Sequence, residues 1–247
     1  MSRSVRNIII VICAVAVAAC MTAAYFAGKS SRKPLVCKGL NVVIADSTCN
    51  SFVSKDDVRK FLDKEYGTYI DVLLDSLDLD RMEKVLEARS AINKTEAYVT
   101  KDCILNIRVT QRRPAVRFQG PGWGYYADAE GRTFPLQSSY ASYVPVVDGH
   151  IPPMTDSIRI VNTTAMVNYL ESSELWKEKF VQITIGSKGD ITLIPREGKE
   201  RFIIGQPSGI EEKAKKMEMY YTHIVPAKGD GHYRTVDLGF DGQIVCR

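Results

Sequence analysis

The sequence predicts an α+β chain: one N-terminal transmembrane helix, a small module of two helices and three strands, and a larger mixed unit rich in β-strand with one or two helices. Three observations carry this. No charged side chain occurs from Ile8 to Ala27. Capping residues at Ser54 and Asp78 stand ahead of apolar positions spaced three and four apart. Alternating apolar and polar runs, separated by turns containing Gly or Asp, recur from Thr95 to the end of the chain. The divisions they give are a tail 1–7, a span 8–27, a linker 28–34, a first exported domain 35–118 and a second 119–247.

A helix over the twenty residues from Ile8 to Ala27 reaches about 30 Å, the thickness of a bilayer's hydrocarbon core. This segment is therefore expected to hold the chain in a lipid bilayer. Val17, Ala18, Ala19 and Cys20 also have the form of a lipoprotein cleavage site, which would leave a lipidated Cys20 as the new N-terminus. The apolar run continues past Cys20 to Ala27, which a cleaved signal does not need, and Tyr25 and Phe26 suit the headgroup zone. A retained anchor is the reading adopted. Arg3 and Arg6 on one side face Lys29, Arg32 and Lys33 on the other, so positive charges alone leave the orientation open. Long domains translocate largely regardless of charge, which places the short tail in the cytoplasm and residues 29–247 outside it.

Of the 33 Lys and Arg only Arg3 and Arg6 precede Gly28, leaving 31 basic against 29 acidic side chains in the exported part. That near balance offers no basic surface for nucleic acid. Shares of 45% hydrophobic and 25% charged residues are ordinary for folded domains. Among the six cysteines, Cys37, Cys49, Cys103 and Cys246 lie beyond the span. An even count permits disulfides, and Cys37 and Cys49 are close enough in sequence to bridge. Each also sits beside strand-like apolar residues, where a buried thiol is the simpler reading and the one preferred.

In the first domain Leu35 to Ile44 is rich in Leu, Val and Ile and reads as a strand, followed by a polar turn from Asp46 to Asn50. Ser54 and Asp57 form a capping box for a helix that carries Val58, Phe61 and Leu62 on one face and stops near Tyr66 and Gly67. Asp78 caps a second helix, with Leu79, Met82, Val85 and Leu86 at helical spacing, ending near Arg89 or Ser90. Thr95 to Thr100 and Cys103 to Arg112 make a hairpin around Lys101 and Asp102. In it Leu105, Ile107 and Val109 point one way and Asn106, Arg108 and Thr110 the other.

Strand, helix, helix, hairpin is the order of a POTRA module. The run Val109, Thr110, Gln111, Arg112, Arg113, Pro114, Ala115 resembles the segment that closes the POTRA domain in the bacterial cell-division family FtsQ, called DivIB in Gram-positive bacteria. The second domain continues the resemblance. Past a Gly- and Pro-rich corner at Gly120 to Gly124, the segment Tyr125 to Phe134 has an aromatic strand, Asp128 and a turn in which Gly131 supplies the left-handed conformation. The stretch Tyr143 to Val147, with Pro145, Asp148 and Gly149, is similar to the family's Leu-Pro-x-x-x-Gly element. Met166 to Phe180 is helix-like although Ser172 and Ser173 interrupt it, and Val181 to Ile185 with Asp190 to Pro195 form another hairpin. Arg201 to Ile204 is followed by a helix from Ile210 to Tyr221, and two last strands lie either side of Asp241 and Gly242. The run Val236 to Phe240 resembles the family's Val-Asp-Leu-Arg-Tyr, with Gly239 in place of the usual arginine.

No nucleophile with a base, metal-ligand spacing or phosphate loop stands out, and His150, His223 and His232 are scattered, so no catalytic residue, cofactor or metal is expected. What remains is surface and sheet edge, where an incoming strand hydrogen-bonds along unpaired main chain. The resemblance implies a division scaffold whose last strands bind membrane-anchored partners of the FtsB and FtsL type, and through them the septal peptidoglycan synthase. By position that surface falls on Phe240 and on Gln243, Ile244, Val245, Cys246 and Arg247. The rival reading is a POTRA-bearing envelope chaperone or secretion component that captures extended polypeptides.

Overall fold

The structure, a computed structural model, describes residues 3–30, 34–47, 51–137 and 140–247, and in the first helix, α1 (Arg3–Ser30), it describes the side chains of residues 12–25. α1 is continuous through the expected span, and its described side chains are exposed, Cys13 and Cys20 among them. Residues 12–25 reach only about 21 Å. Among the described residues no helix is long and apolar enough to cross a membrane. Residues 8–11 and 26–27 of the expected anchor lie outside the described side chains.

The first module follows as β1 (Gly39–Ile44), α2 (Lys55–Glu65), α3 (Leu79–Glu87), β2 (Ile92–Val99) and β3 (Ile104–Gln111), with strand order β1-β3-β2. The capping box is complete. Ser54 Oγ accepts from the Asp57 N–H at 3.1 Å, and the Asp57 carboxylate accepts from the Ser54 N–H at 3.0 Å and hydroxyl at 2.6 Å. The hydroxyl bond, then the backbone bond, hold the Asp57 carboxyl below its ordinary value. Leu105, Ile107 and Val109 are buried against Val58 and Leu62 of α2 and Met82 and Leu86 of α3, while on the other face Arg108 is exposed and Thr110 half-buried; Asn106, expected on the wet face, is buried instead and accepts from Asn41 Nδ2 at 2.9 Å. Cys37 and Cys103 are buried free thiols; Cys49 lies outside the described residues.

β1 begins four residues later than the apolar run, at Gly39 instead of Leu35. The stretch before it finds a different partner: the Cys37 N–H donates to Val72 O at 2.9 Å, Asp71 N–H to Cys37 O at 2.8 Å, and Leu74 N–H to Leu35 O at 2.9 Å. Composition marks an extended segment but says nothing about which neighbour will pair with it.

The second module contains β4 (Val116–Gly120), β5 (Trp123–Ala127), β6 (Thr133–Pro135), β7 (Val146–Gly149), α4 (Ser157–Ser172), β8 (Phe180–Ile185), β9 (Ile191–Pro195), β10 (Arg201–Gly205), α5 (Ile210–Met219), a π-helical turn at Tyr220–Ile224, α6 (Val225–Lys228), β11 (Thr235–Asp237) and β12 (Val245–Cys246). They form one nine-stranded sheet in the order β12-β11-β10-β9-β8-β7-β4-β5-β6. β7 and β8 are parallel neighbours, as are β10 and β11. Parallel neighbours need a crossover; α4 provides the first and α5 the second. Ile160, Met166, Val167 and Leu170 of α4 and Ile210, Ala214 and Met217 of α5 close one core over Phe118, Val147, Ile185, Leu193, Phe202, Ile204 and Val236. Each such fully buried side chain contributes about 1.5–3 kcal/mol.

Two expectations are corrected. The division set at Phe118 falls inside β4, which pairs with β5 and β7, so the second module begins by Val116. The helix expected from Met166 to Phe180 runs instead from Ser157 to Ser172, where Asp156 Oδ1 accepts from the Arg159 N–H at 3.2 Å and opens it nine residues earlier. Ile158, Ile160, Val161, Thr163 and Thr164 are β-branched and poor helix formers, but packing on the sheet overrides that preference.

The two modules meet through a polar and aromatic joint. Gln111 Oε1 accepts from the N–H groups of Phe52 at 2.7 Å and Val53 at 2.8 Å, fixing the loop that carries the Phe52 ring. That ring packs edge-on against Tyr126, Phe134 and Tyr140 of the second module, at 5.4, 5.4 and 4.9 Å between centroids. Arg112 spans the joint. Its Nε donates to Ser90 O at 2.9 Å, its Nη2 to Ile92 O at 3.3 Å, and its Nη1 to Asp128 Oδ2 at 2.7 Å. Asp128 Oδ1 accepts from the N–H groups of Arg132 and Glu130, holding the turn that ends at Gly131. The Gln-Arg motif and the aspartate that follows β5 are thus the two halves of one contact.

Candidate partner-binding edge

β12 is the outermost strand at one end of the large sheet, and it contains Val245 and Cys246 of the expected partner residues. It pairs antiparallel with β11, Val236 opposite Cys246 and Asp237 opposite Val245. Arg247 extends the pair: its N–H donates to Thr235 O at 2.9 Å and its carbonyl accepts from the Thr235 N–H at 3.0 Å. Residues in an antiparallel pair alternate between exchanging two hydrogen bonds and none. Val245 and Arg247 therefore bond inward to β11, and the N–H and C=O groups of Ile244 and Cys246 face away from the sheet. Their side chains turn to the helix side and pack on the main core. Burial pushes the Cys246 thiol above its ordinary value and keeps it protonated at neutral pH.

Phe240 and Gln243 lie in the turn before β12, where the Gln243 N–H donates to Phe240 O at 3.4 Å. The Phe240 ring is 50% exposed. The turn is held by a residue that the sequence does not single out: Lys216 of α5 donates to Phe240 O at 2.7 Å and stands 3.5 Å from Glu212 Oε1. Of the lysines Lys213, Lys215 and Lys216 on α5, only Lys215 is exposed and Lys216 is buried. Two turns of α5 packed under the loop make the difference, and no sequence pattern marks it. The structure thus brings Phe240 and residues 243–247 into one edge and adds Lys216 beneath it.

The other edges differ. β6 is three residues long and ends in Pro135, which has no N–H to offer. On β2 the outward N–H groups of Thr95 and Ala97 donate to the side chains of Glu87 and Glu83 of α3, at 2.8 and 2.7 Å. Charged side chains drawn over an edge are a recognised guard against unwanted strand pairing. Residues 71–74 cover only the stretch before β1; the Ala45 N–H bonds to Val109 O, a register that turns the main chain of Ile44 and Val42 outward. Replacing Glu83 and Glu87 by alanine together is expected to cost about 1–2 kcal/mol for each bond lost and to promote self-association. Urea denaturation and sedimentation check this, and a double variant as stable and as monomeric as its parent refutes the guarding role.

The histidines are far from this edge in role: His223 meets Thr222 at 2.7 Å and His232 packs edge-on against Tyr233. Among the described residues no group of three His, Cys, Asp or Glu could hold a metal ion.

Comparison with known proteins identifies a family. No curated protein matches the chain. A solved structure of the major extracytoplasmic domain of the bacterial cell division protein DivIB from Geobacillus stearothermophilus is similar at 14% identity, covering 47% of this chain and 92% of that one with a TM-score of 0.30. Residues 35–110 match the POTRA-like domain, and residues 113–247 match the family described as FtsQ/DivIB, C-terminal related. With more than half of its 247 residues matched in that way, the chain belongs to the FtsQ/DivIB family.

Proposed function

We propose that this chain is a scaffold of the bacterial division septum, held in the cytoplasmic membrane by α1 with its N-terminus inside and both folded modules outside. It captures an extended segment of a membrane-anchored partner of the FtsB or FtsL type on the outer edge of β12, and through that partner regulates septal peptidoglycan synthesis. Family membership supports the division role. The observation that carries the binding mode is the outward main chain of Ile244 and Cys246 beside the exposed Phe240 ring. Strand addition of this kind draws affinity from main-chain hydrogen bonds and specificity from neighbouring side chains.

The test follows from the alternation along the strand. Ile244→Pro removes an N–H that faces a partner and not β11, so it is expected to abolish co-purification of the partner while thermal unfolding shifts by only a few degrees. Val245→Pro removes a bond to β11 and is expected to lower stability as well. Unchanged partner capture by Ile244→Pro overturns the β12 assignment. The rival reading, capture of extended polypeptides by the POTRA module, has against it the two carboxylates on β2. Loss of capture in Ile44→Pro, with Ile244→Pro unaffected, would favour it.

A further inference from the structure

Three exposed apolar side chains of the first module gather where the chain arrives from α1, while Val43 is exposed toward the other end of β1. Leu35, Ile70 and Leu73 are 61%, 37% and 48% exposed. Main-chain pairing brings them together: Val36 bridges Leu73, and the Leu74 N–H donates to Leu35 O at 2.9 Å. Tyr98, 51% exposed, stands on the uncovered face of the small sheet, opposite Asn106 and near its same end. Lys38 and Lys101, both exposed, flank the group, because the Lys38 N–H donates to Cys103 O at 2.8 Å and so draws the β2–β3 turn to the start of β1. α2 and α3 pack on the other face of the sheet and leave this corner bare.

We infer that this corner of the POTRA-like module rests on the bilayer, with Leu35, Ile70 and Leu73 in the interfacial zone, Tyr98 at headgroup level, and Lys38 and Lys101 reaching the phosphates. The inference rests on α1 being the membrane anchor. Position argues for lipid as the occupant. α1 ends at Ser30, and five residues of chain reach at most about 17 Å, so Leu35 cannot leave the neighbourhood of the membrane surface. Chemistry agrees in the aliphatic and tyrosine side chains, which interfaces favour; the exposed Asp71 and Asp102 balance the two lysines, so the contact rests on apolar burial more than on charge. The contact would fix the height and tilt of the first module above the membrane, and through the Arg112 joint those of the second.

A photoreactive leucine analogue at Leu73 of the full chain, reconstituted in vesicles of phosphatidylethanolamine and phosphatidylglycerol, tests this. Expected is a lipid adduct at Leu73 in several-fold higher yield than from the same probe at Trp123, which is exposed on the second module. Carbonate extraction of the same vesicles reads the anchor separately. A chain that resists extraction but gives no more lipid adduct at Leu73 than at Trp123 overturns the inference while leaving the anchor intact. A chain that extracts removes the anchor itself. In growing cells, a protein crosslink at Leu73 in place of the lipid adduct assigns the corner to a partner and also overturns the inference.

Discussion

Replacing Arg112 with alanine is expected to lower the unfolding free energy by about 3–5 kcal/mol, the cost of stripping one partner from a buried ion pair. The side chains of Arg112 and Asp128 are 13% and 6% exposed, and the guanidinium uses all three nitrogens, two of them on carbonyls of the first module. Without it Asp128 keeps the N–H groups of its own turn but loses the charge facing it, and Ser90 and Ile92 lose their donors. The apolar cluster of Phe52 and Ala91 with Tyr126, Phe134 and Tyr140 would then carry the joint. Denaturant unfolding of Arg112→Ala, Asp128→Asn and the double variant should show strong coupling, the pair together costing less than the two singles summed. Small-angle scattering of Arg112→Ala should show the modules moving apart. An Arg112→Ala protein within about 0.5 kcal/mol of its parent, the range of ordinary surface changes, would refute the structural importance given to this pair.

Gly149→Ala is the second large effect. Gly149 has φ +85 and lies at the end of β7, paired with Ile185 of β8, in the middle of the nine-stranded sheet. A Cβ there would collide with Ile185 O and stand 3.1 Å from Thr184 Cγ2. Ile185 O already accepts from the His150 N–H at 2.8 Å, so β8 cannot yield without breaking that bond. Left-handed strain and the clash together are expected to cost about 2–5 kcal/mol. Gly122→Ala is the matched control: φ there is +78, but nothing lies within 4 Å of the added carbon, so only the conformational penalty of about 1–2 kcal/mol applies. Equal melting temperatures for the two variants would show that the close approach at Gly149 is not a constraint.

The parts of the fold legible in the sequence are those set by neighbours along the chain. The Ser54 capping box, the alternation of Leu105, Ile107 and Val109, and the Asp128 to Gly131 turn depend on residues within a few positions, and each forms as expected. What was not legible depends on which distant segment arrives. β4 continues the extended run of β3 through Pro114 with no change of pattern, and only its pairing with β5 and β7 assigns it to the second module. α4 is buried on much of its circumference, so it lacks the amphipathic period by which a surface helix is recognised. The candidate edge was legible in position but not in polarity. The sequence locates residues 243–247, whereas the outward direction of Ile244 and Cys246 comes from the bonds of Arg247 to Thr235. Nothing in the local pattern of Glu83 and Glu87, four apart on a helix, marks the β2 N–H groups from which they accept.

The two ends of the large sheet differ: one finishes on Pro135, the other on the open main chain of β12. A sheet that can be lengthened from both ends polymerises, because each added molecule presents a fresh edge to the next. In the large sheet only the β12 end is receptive, so a strand added there would leave no second end of that sheet for the same reaction. If β12 is the binding edge proposed above, this asymmetry would hold strand addition on the large sheet to one partner for each chain.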